Sequence, residues 1–169
     1  MRLNKCYRYR LNPTPAQEQT FVQWAGCRRF VWNYALERRR QHYQETGKSL
    51  SFAHLCLELT ALKQQLPWLK EADSQCLQQL LRDLDTAYKN FFEKRAGFPK
   101  CKKKFKTPNT FRIPQRVLAQ GGFCRVPKIG LVPMILHRPL EGDLKSATFK
   151  QEASGHWFVT FVTDQEVQE

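Results

Sequence analysis

The chain has 169 residues, of which 41% are apolar and 12% aromatic, and a formal net charge of +13. That composition calls for a packed core and excludes a disordered chain, and the length allows one ordinary domain or two small ones. No apolar run reaches the length of a bilayer span, and the first residues lack the continuous apolar stretch of a secretory signal.

Residues 5–11, KCYRYRL, interleave Cys6, Tyr7, Tyr9 and Leu11 with Lys5, Arg8 and Arg10, which predicts a strand with one basic face. NPTPAQ then starts a helix. Thr14 is a good N-cap, Pro15 suits the first helical position, and Gln17 can close a capping box. Apolar residues follow at helical spacing from Phe21 to Leu36, with Gly26 read as a joint between two helices or a close helix crossing. Gly47 in ETGK supplies a left-handed stop. Near it, Arg38, Arg39 and Arg40 read either as complements to the helix dipole or as phosphate contacts.

Ser51 can cap a second helix to about residue 65, with Leu55, Leu59 and Leu62 on its apolar face. LPWL at 66–69 interrupts. Asp73 or Ser74 caps a third helix running to about Arg95. Its stripe of Leu77, Leu80, Leu81, Leu84, Ala87, Tyr88, Phe91 and Phe92 is expected in the core. Three or more helices with short links predict a compact bundle.

After Gly97 the helical period gives way to short β-type runs: TFRIP, GFCRVP, IGLVPMILH, and a hairpin over 145–163 that turns at ASG. The strand at 5–11 has no neighbour in sequence and is expected to pair with these later strands. The expected fold class is therefore α+β: a small antiparallel β-barrel, similar to oligonucleotide-binding folds, from residues 1–12 and 98–169. A three- to four-helix bundle over 13–97 is inserted in it.

The charge is uneven. Residues 94–140 hold twelve lysines and arginines and no acid, and residues 1–40 hold nine against two, while the remaining segments are net acidic. Six of these cations lie in FPKCKKKFKTPNTFRIP, residues 98–114. Such a block creates a positive field that attracts phosphates through counterion release. A solvated basic surface and a localisation tag are the plainer readings. An anionic membrane fits less well, because prolines break the run and no amphipathic period is present. Nucleic acid is the expected partner. Its candidate contacts are Arg8, Arg10, Arg28, Arg29, Arg38, Arg39, Lys100, Lys102, Lys103, Lys104, Lys106 and Arg112.

No catalytic constellation is legible. His42, His54, His137 and His156 stand alone, Ser154 lacks the frame of a nucleophile elbow, and the acid-free block offers no carboxylates to a magnesium ion. The six cysteines lie 20 to 29 residues apart with no C-x-x-C pair, which argues against a zinc site and for reduced thiols in a cytoplasmic protein. Cofactors, membranes and small-molecule substrates are not expected.

The segments YRYRLNPTPAQEQTF, CRRFVWNYALERR, LTALKQQLPWLKEADSQCLQQLLRDLDTAYKNFF, GFPKCKKKF and FRIPQ, taken in this order, resemble the N-terminal half of the TnpB/OrfB family. These are RNA-guided nucleases encoded by insertion sequences and related to type V CRISPR effectors. The resemblance implies that the strands form a wedge barrel and the helices a recognition insert, historically described as helix-turn-helix. It implies binding of a structured guide RNA, the guide–target heteroduplex and a short target-adjacent DNA motif. The positions matching the motif readers are Phe52, Ser74, Gln75, Gln78 and Gln115. In the family the strand matching HWFVTFV is followed by a RuvC-like nuclease domain with a four-cysteine zinc ribbon. Residues up to Glu169 show neither, so no nuclease activity is expected. The competing expectations are a duplex-DNA-binding regulator or transposition accessory, and a non-functional truncated remnant that folds poorly.

Overall fold

The structure is a computed structural model that describes residues 1–104 and 106–166. Phe105, which ends the GFPKCKKKF motif, and the last three residues lie outside the described residues. The elements in chain order are β1 (Arg2–Leu11), α1 (Pro15–Thr46), α2 (Phe52–Gln65), a 3-10 turn (Pro67–Glu71) and α3 (Ser74–Phe92). There follow β2 (Thr110–Ile113), β3 (Leu118–Gln120), β4 (Phe123–Val126), β5 (Gly130–Ile135), β6 (Asp143–Gln151) and β7 (Trp157–Glu166). Among the described residues, no helix is long and apolar enough to cross a membrane. Two compact units divide the chain: Met1–Ala25 with the chain from Pro108 onward, and Gly26–Thr107. The lysine-rich residues 98–107 thus belong to the helical unit, and the first eleven residues of α1 to the sheet unit.

Among the described residues of the sheet unit, seven antiparallel strands run in the order β2-β6-β7-β1-β5-β4-β3. β1 pairs with β7 from Arg2↔Glu166 to Arg10↔Phe158, then with β5 at Arg10↔Ile135 and Leu11↔Met134. The long-range pairing expected for β1 is therefore present. The sheet curls into a half-barrel but stays open, with β2 and β3 as its edges. Alternation in β1 buries Tyr7, Tyr9 and Leu11. Cys6 shares the parity of Arg8 and Arg10, so it stands on the exposed face with them rather than among the apolar residues. β3 was not foreseen: three residues with an exposed Leu118 leave almost no periodic signal.

The core of this unit is aromatic. Phe111 and Phe149 face each other across β2 and β6, with ring centroids 4.9 Å apart and planes 14° from parallel. From the first turns of α1, Phe21 lies 5.6 Å from both rings and 5.1 Å from Trp157, and Trp24 lies 5.5 Å from Phe111. The capping box holds this end of α1 in place. Gln17 N–H donates to Thr14 Oγ1 at 3.2 Å, and Thr14 N–H donates to Gln17 Oε1 at 3.0 Å. Thr14→Ala should therefore cost about 1 kcal/mol in a urea titration; no loss of stability would mean that α1 gains nothing from its cap. Gly142, just before β6, has φ +87°, and a Cβ there would lie 2.9 Å from the Asp164 carbonyl oxygen.

In the helical unit, Gly26 neither breaks α1 nor marks a helix crossing. α1 is continuous, and a Cβ at Gly26 would meet only the Arg29 side chain, at 3.9 Å. Gly47 ends α1 at φ +69°, its N–H donating to the Tyr43 carbonyl at 2.8 Å. Ser51 caps α2 by accepting from His54 N–H at 3.2 Å, and Asp73 caps α3 by accepting from Gln75 N–H at 2.9 Å. Leu55, Leu59, Leu77, Leu80, Leu81 and Leu84 are buried. The far end of the α3 stripe departs from expectation. α3 stops at Phe92, Phe91 is only half-buried, and Phe92 is 63% exposed. Helical spacing marks a face, but nothing in it says how far a partner covers that face.

Candidate nucleic-acid interface

The acid-free segment is fixed to α1 by two neighbouring side chains. Trp32 Nε1–H donates to the Lys100 carbonyl at 2.8 Å. Asn33 grips Lys102 from both sides, accepting from its N–H at 2.8 Å and donating to its C=O at 2.8 Å. The chain then closes a turn: Thr107 N–H donates to the Lys103 carbonyl at 2.8 Å, and Lys103 N–H donates to Thr107 Oγ1 at 3.1 Å. Lys100, Lys103, Lys104 and Lys106 are exposed. Lys102 is half-buried, with Nζ 4.4 Å from the centre of the Trp32 ring. Burial pushes its pKa down, and nearby Arg28 adds to this while Asp83 opposes it.

The arginines of α1 are placed differently. Arg28 is half-buried and Arg29 buried, and desolvation lowers the pKa of both. Arg38 makes a bidentate pair with Glu58 (2.7–3.1 Å), and Arg39, only 4% exposed, donates to Asp85 at 2.8 Å. Much of the charge of RRR at 38–40 is thus committed within the unit. These pairs also neutralise acids on α2 and α3.

The motif-reading candidates Ser74, Gln75 and Gln78 share the first turns of α3, Ser74 and Gln78 exposed and Gln75 half-buried. Phe52 opens α2, and Arg82, one turn beyond Gln78, sets its guanidinium 5.1 Å from the Phe52 ring centre. Arg82 joins these residues into one surface and was missed in the sequence. So were the roles of Trp32 and Asn33. The available signal was an asparagine in mid-helix, a poor helix former with a side chain that seeks backbone partners.

In the sheet unit, Arg8 and Arg10 stand on the exposed face of β1. Arg8 pairs with Glu152 and lies 4.2 Å over the Phe158 ring, and Arg10 Nη2 is 2.9 Å from His156 Nδ1. Arg112 is on the exposed face of β2. Gln115 lines a cavity of about 700 Å³, together with Arg116, Lys145 and Ser146. No group of three or more His, Cys, Asp or Glu among the described residues could hold a metal ion. The described cysteines are free thiols. Burial raises Cys27 to about 11 and Cys124 to about 12, which keeps both protonated and unreactive.

Residues 1–48 match the helix-turn-helix domain family of OrfB proteins from IS605-type insertion sequences. Here those residues form strand β1 and the single uninterrupted helix α1. InsQ of Escherichia coli (strain K12), provisionally named an RNA-guided DNA endonuclease, is 35% identical over 171 residues, covering 99% of this chain. A Streptomyces pristinaespiralis protein with the same provisional name is 30% identical over 98% of this chain. The virulence protein VsdF of Salmonella dublin is 34% identical over 54% of this chain and 87% of its own length. The chain spans 42% of the length of each of the two endonuclease relatives, corresponding to their N-terminal part. With the OrfB-type match over residues 1–48 and endonuclease relatives aligned over 98–99% of its length, the chain belongs to the TnpB/OrfB family of insertion-sequence proteins.

Proposed function

We propose that this chain is the nucleic-acid-holding part of a TnpB-type RNA-guided system, working in the cytoplasm. In this reading the sheet unit is the wedge and the helices are the recognition insert. Lys100, Lys103, Lys104 and Lys106 hold the backbone of a structured guide RNA and its heteroduplex with target DNA. Phe52, Ser74, Gln75, Gln78 and Gln115 read the short DNA motif beside the target, with Arg82 as an added member. Arg8, Arg10 and Arg112 supply further backbone contacts from the sheet. Strand scission is assigned to no group of this segment.

The observation that supports this reading best is the pinning of the lysine segment by Trp32 and Asn33. A cation row held in place loses less conformational freedom when a polyanion binds than a mobile tail does. The names of the relatives point the same way. The single helix in residues 1–48 cannot by itself form a helix-turn-helix, so a regulator that reads duplex DNA would have to use α2 and α3.

Filter binding of RNA transcribed from the right end of the insertion sequence, at several salt concentrations, tests the reading. Binding should be salt-steep and stronger than for an unrelated RNA of equal length. Replacing Lys103 and Lys104 together by alanine should flatten the log–log salt slope by about 1.5–2, close to one phosphate contact each. Lys102 is left out of this pair because it is half-buried against Trp32. An unchanged slope would mean that these lysines make no phosphate contact. Preference for duplex DNA without RNA would favour the regulator, magnesium-dependent cleavage by the pure chain would overturn the absence of scission, and a broad, non-cooperative melt would mark a poorly folding remnant.

A further inference from the structure

We infer that the aromatic cavity of the helical unit is a pocket for one unstacked nucleobase, with Tyr88 and Arg39 reading its edge and Arg40 facing its phosphate. The partner's identity rests on the nucleic-acid reading above; the pocket's chemistry does not. The cavity holds about 450 Å³ and is walled by Tyr43, Tyr88, Phe91, Phe92 and Phe98. Tyr88 and Phe91 each meet Phe98 edge-on, at 5.5 and 5.2 Å. Phe92 and Tyr43, 63% and 59% exposed, leave ring surface open at the mouth.

Two residues of this wall carry buried polar atoms with no hydrogen-bond partner among the described residues. The Tyr88 hydroxyl is one, on a residue 7% exposed, and Arg39 Nε is the other, on a residue 4% exposed. Arg39 spends Nη2 on Asp85 and lies 4.8 Å from the Tyr88 ring centre, so its Nε–H remains available. Buried donors left unmade are costly, and a ligand that fills them recovers that cost. Burial raises the pKa of the Tyr88 phenol against the pull of Arg39 and Arg40, which keeps it a neutral donor and acceptor.

A nucleobase matches each of these features. Its flat face stacks on the open rings, and its ring nitrogens or carbonyl oxygens accept from the phenol and the guanidinium. Its phosphate competes with Glu37 for Arg40, which donates to Glu37 at 2.8 Å. An apolar peptide side chain would fill the rings but leave both polar atoms unpaired and make no use of the two arginines. Arg39 would then act on a base edge, and its burial, which is poor for a phosphate contact, suits that role.

Titration of the full chain with adenosine 5′-monophosphate, followed by saturation-transfer NMR at the base protons, is the direct test, with ribose 5-phosphate and N-acetylphenylalaninamide as controls. The nucleotide should bind and the sugar phosphate should not. Tyr88→Phe and Phe92→Ala should each weaken nucleotide binding roughly fivefold or more. Phe92 is exposed, so its variant keeps the test valid should Tyr88→Phe fold poorly. Equal binding by wild type and both variants, binding no better than that of ribose 5-phosphate, or tighter binding of the amino-acid amide would overturn the pocket, the last in favour of a peptide. Salt-steep retention of structured RNA, measured in parallel, reads the wider proposal alone: RNA bound without the nucleotide sinks only the pocket, and the nucleotide bound without RNA sinks only the wider proposal.

Discussion

Phe149→Ala should lower the stability of the chain by about 3–5 kcal/mol, read from the midpoint of a urea titration at unchanged slope. Phe149 is fully buried, stacks on Phe111 at 4.9 Å and lies 5.6 Å from Phe21. Its ring therefore joins three elements, β6, β2 and the first turns of α1, which are far apart in sequence. Removing it leaves a cavity among rigid rings that cannot collapse to fill it, which places the cost at the upper end for large-to-small changes. The exposed Phe92 is the contrast: its alanine variant should lose less than about 1 kcal/mol. A loss of the same small size at Phe149 would mean that the aromatic cluster is not the core of the sheet unit.

Asn33→Ala should have the largest effect on the candidate interface. It removes the acceptor for Lys102 N–H and the donor to Lys102 C=O at once, leaving two part-buried backbone groups unpaired. The expected cost is about 1–3 kcal/mol, concentrated in the lysine segment, with roughly a tenfold loss of RNA affinity as the cations lose their fixed positions. Hydrogen exchange localises the effect: protection of the Lys102 amide should disappear while α3 stays protected. Asn33→Asp can still accept from Lys102 N–H but cannot donate to its carbonyl, so it should retain part of the protection. If the Lys102 amide exchanged no faster in the alanine variant, the clamp would not be what holds the segment.

Local chemistry made much of the fold legible in the sequence. The Thr14–Gln17 box, the Gly47 stop, the Ser51 and Asp73 caps and the hairpin through ASG are each written in neighbouring residues, and each is present. The pairing of β1 with late strands was inferred because an isolated amphipathic strand must pair somewhere. What the sequence hid depends on partners distant in the chain. Whether Phe91 and Phe92 are covered, whether Arg38 and Arg39 face solvent or Glu58 and Asp85, and that Asn33 holds Lys102 are facts of tertiary contact. Cys6 is a different case. Its parity with Arg8 and Arg10 was readable, but its apolar character suggested the wrong face. The lysines were conspicuous as charge, whereas the groups that hold them are an indole and an amide within an otherwise ordinary helix.

Gly142 sets a limit on how this architecture can drift. Its backbone has φ +87°, and the Asp164 carbonyl oxygen occupies the space that any side chain would need. A variant library selected for a properly formed β6–β7 pair should return glycine at this position. A descendant lacking it would need to re-register the hairpin that brings the chain's last described strand against its first.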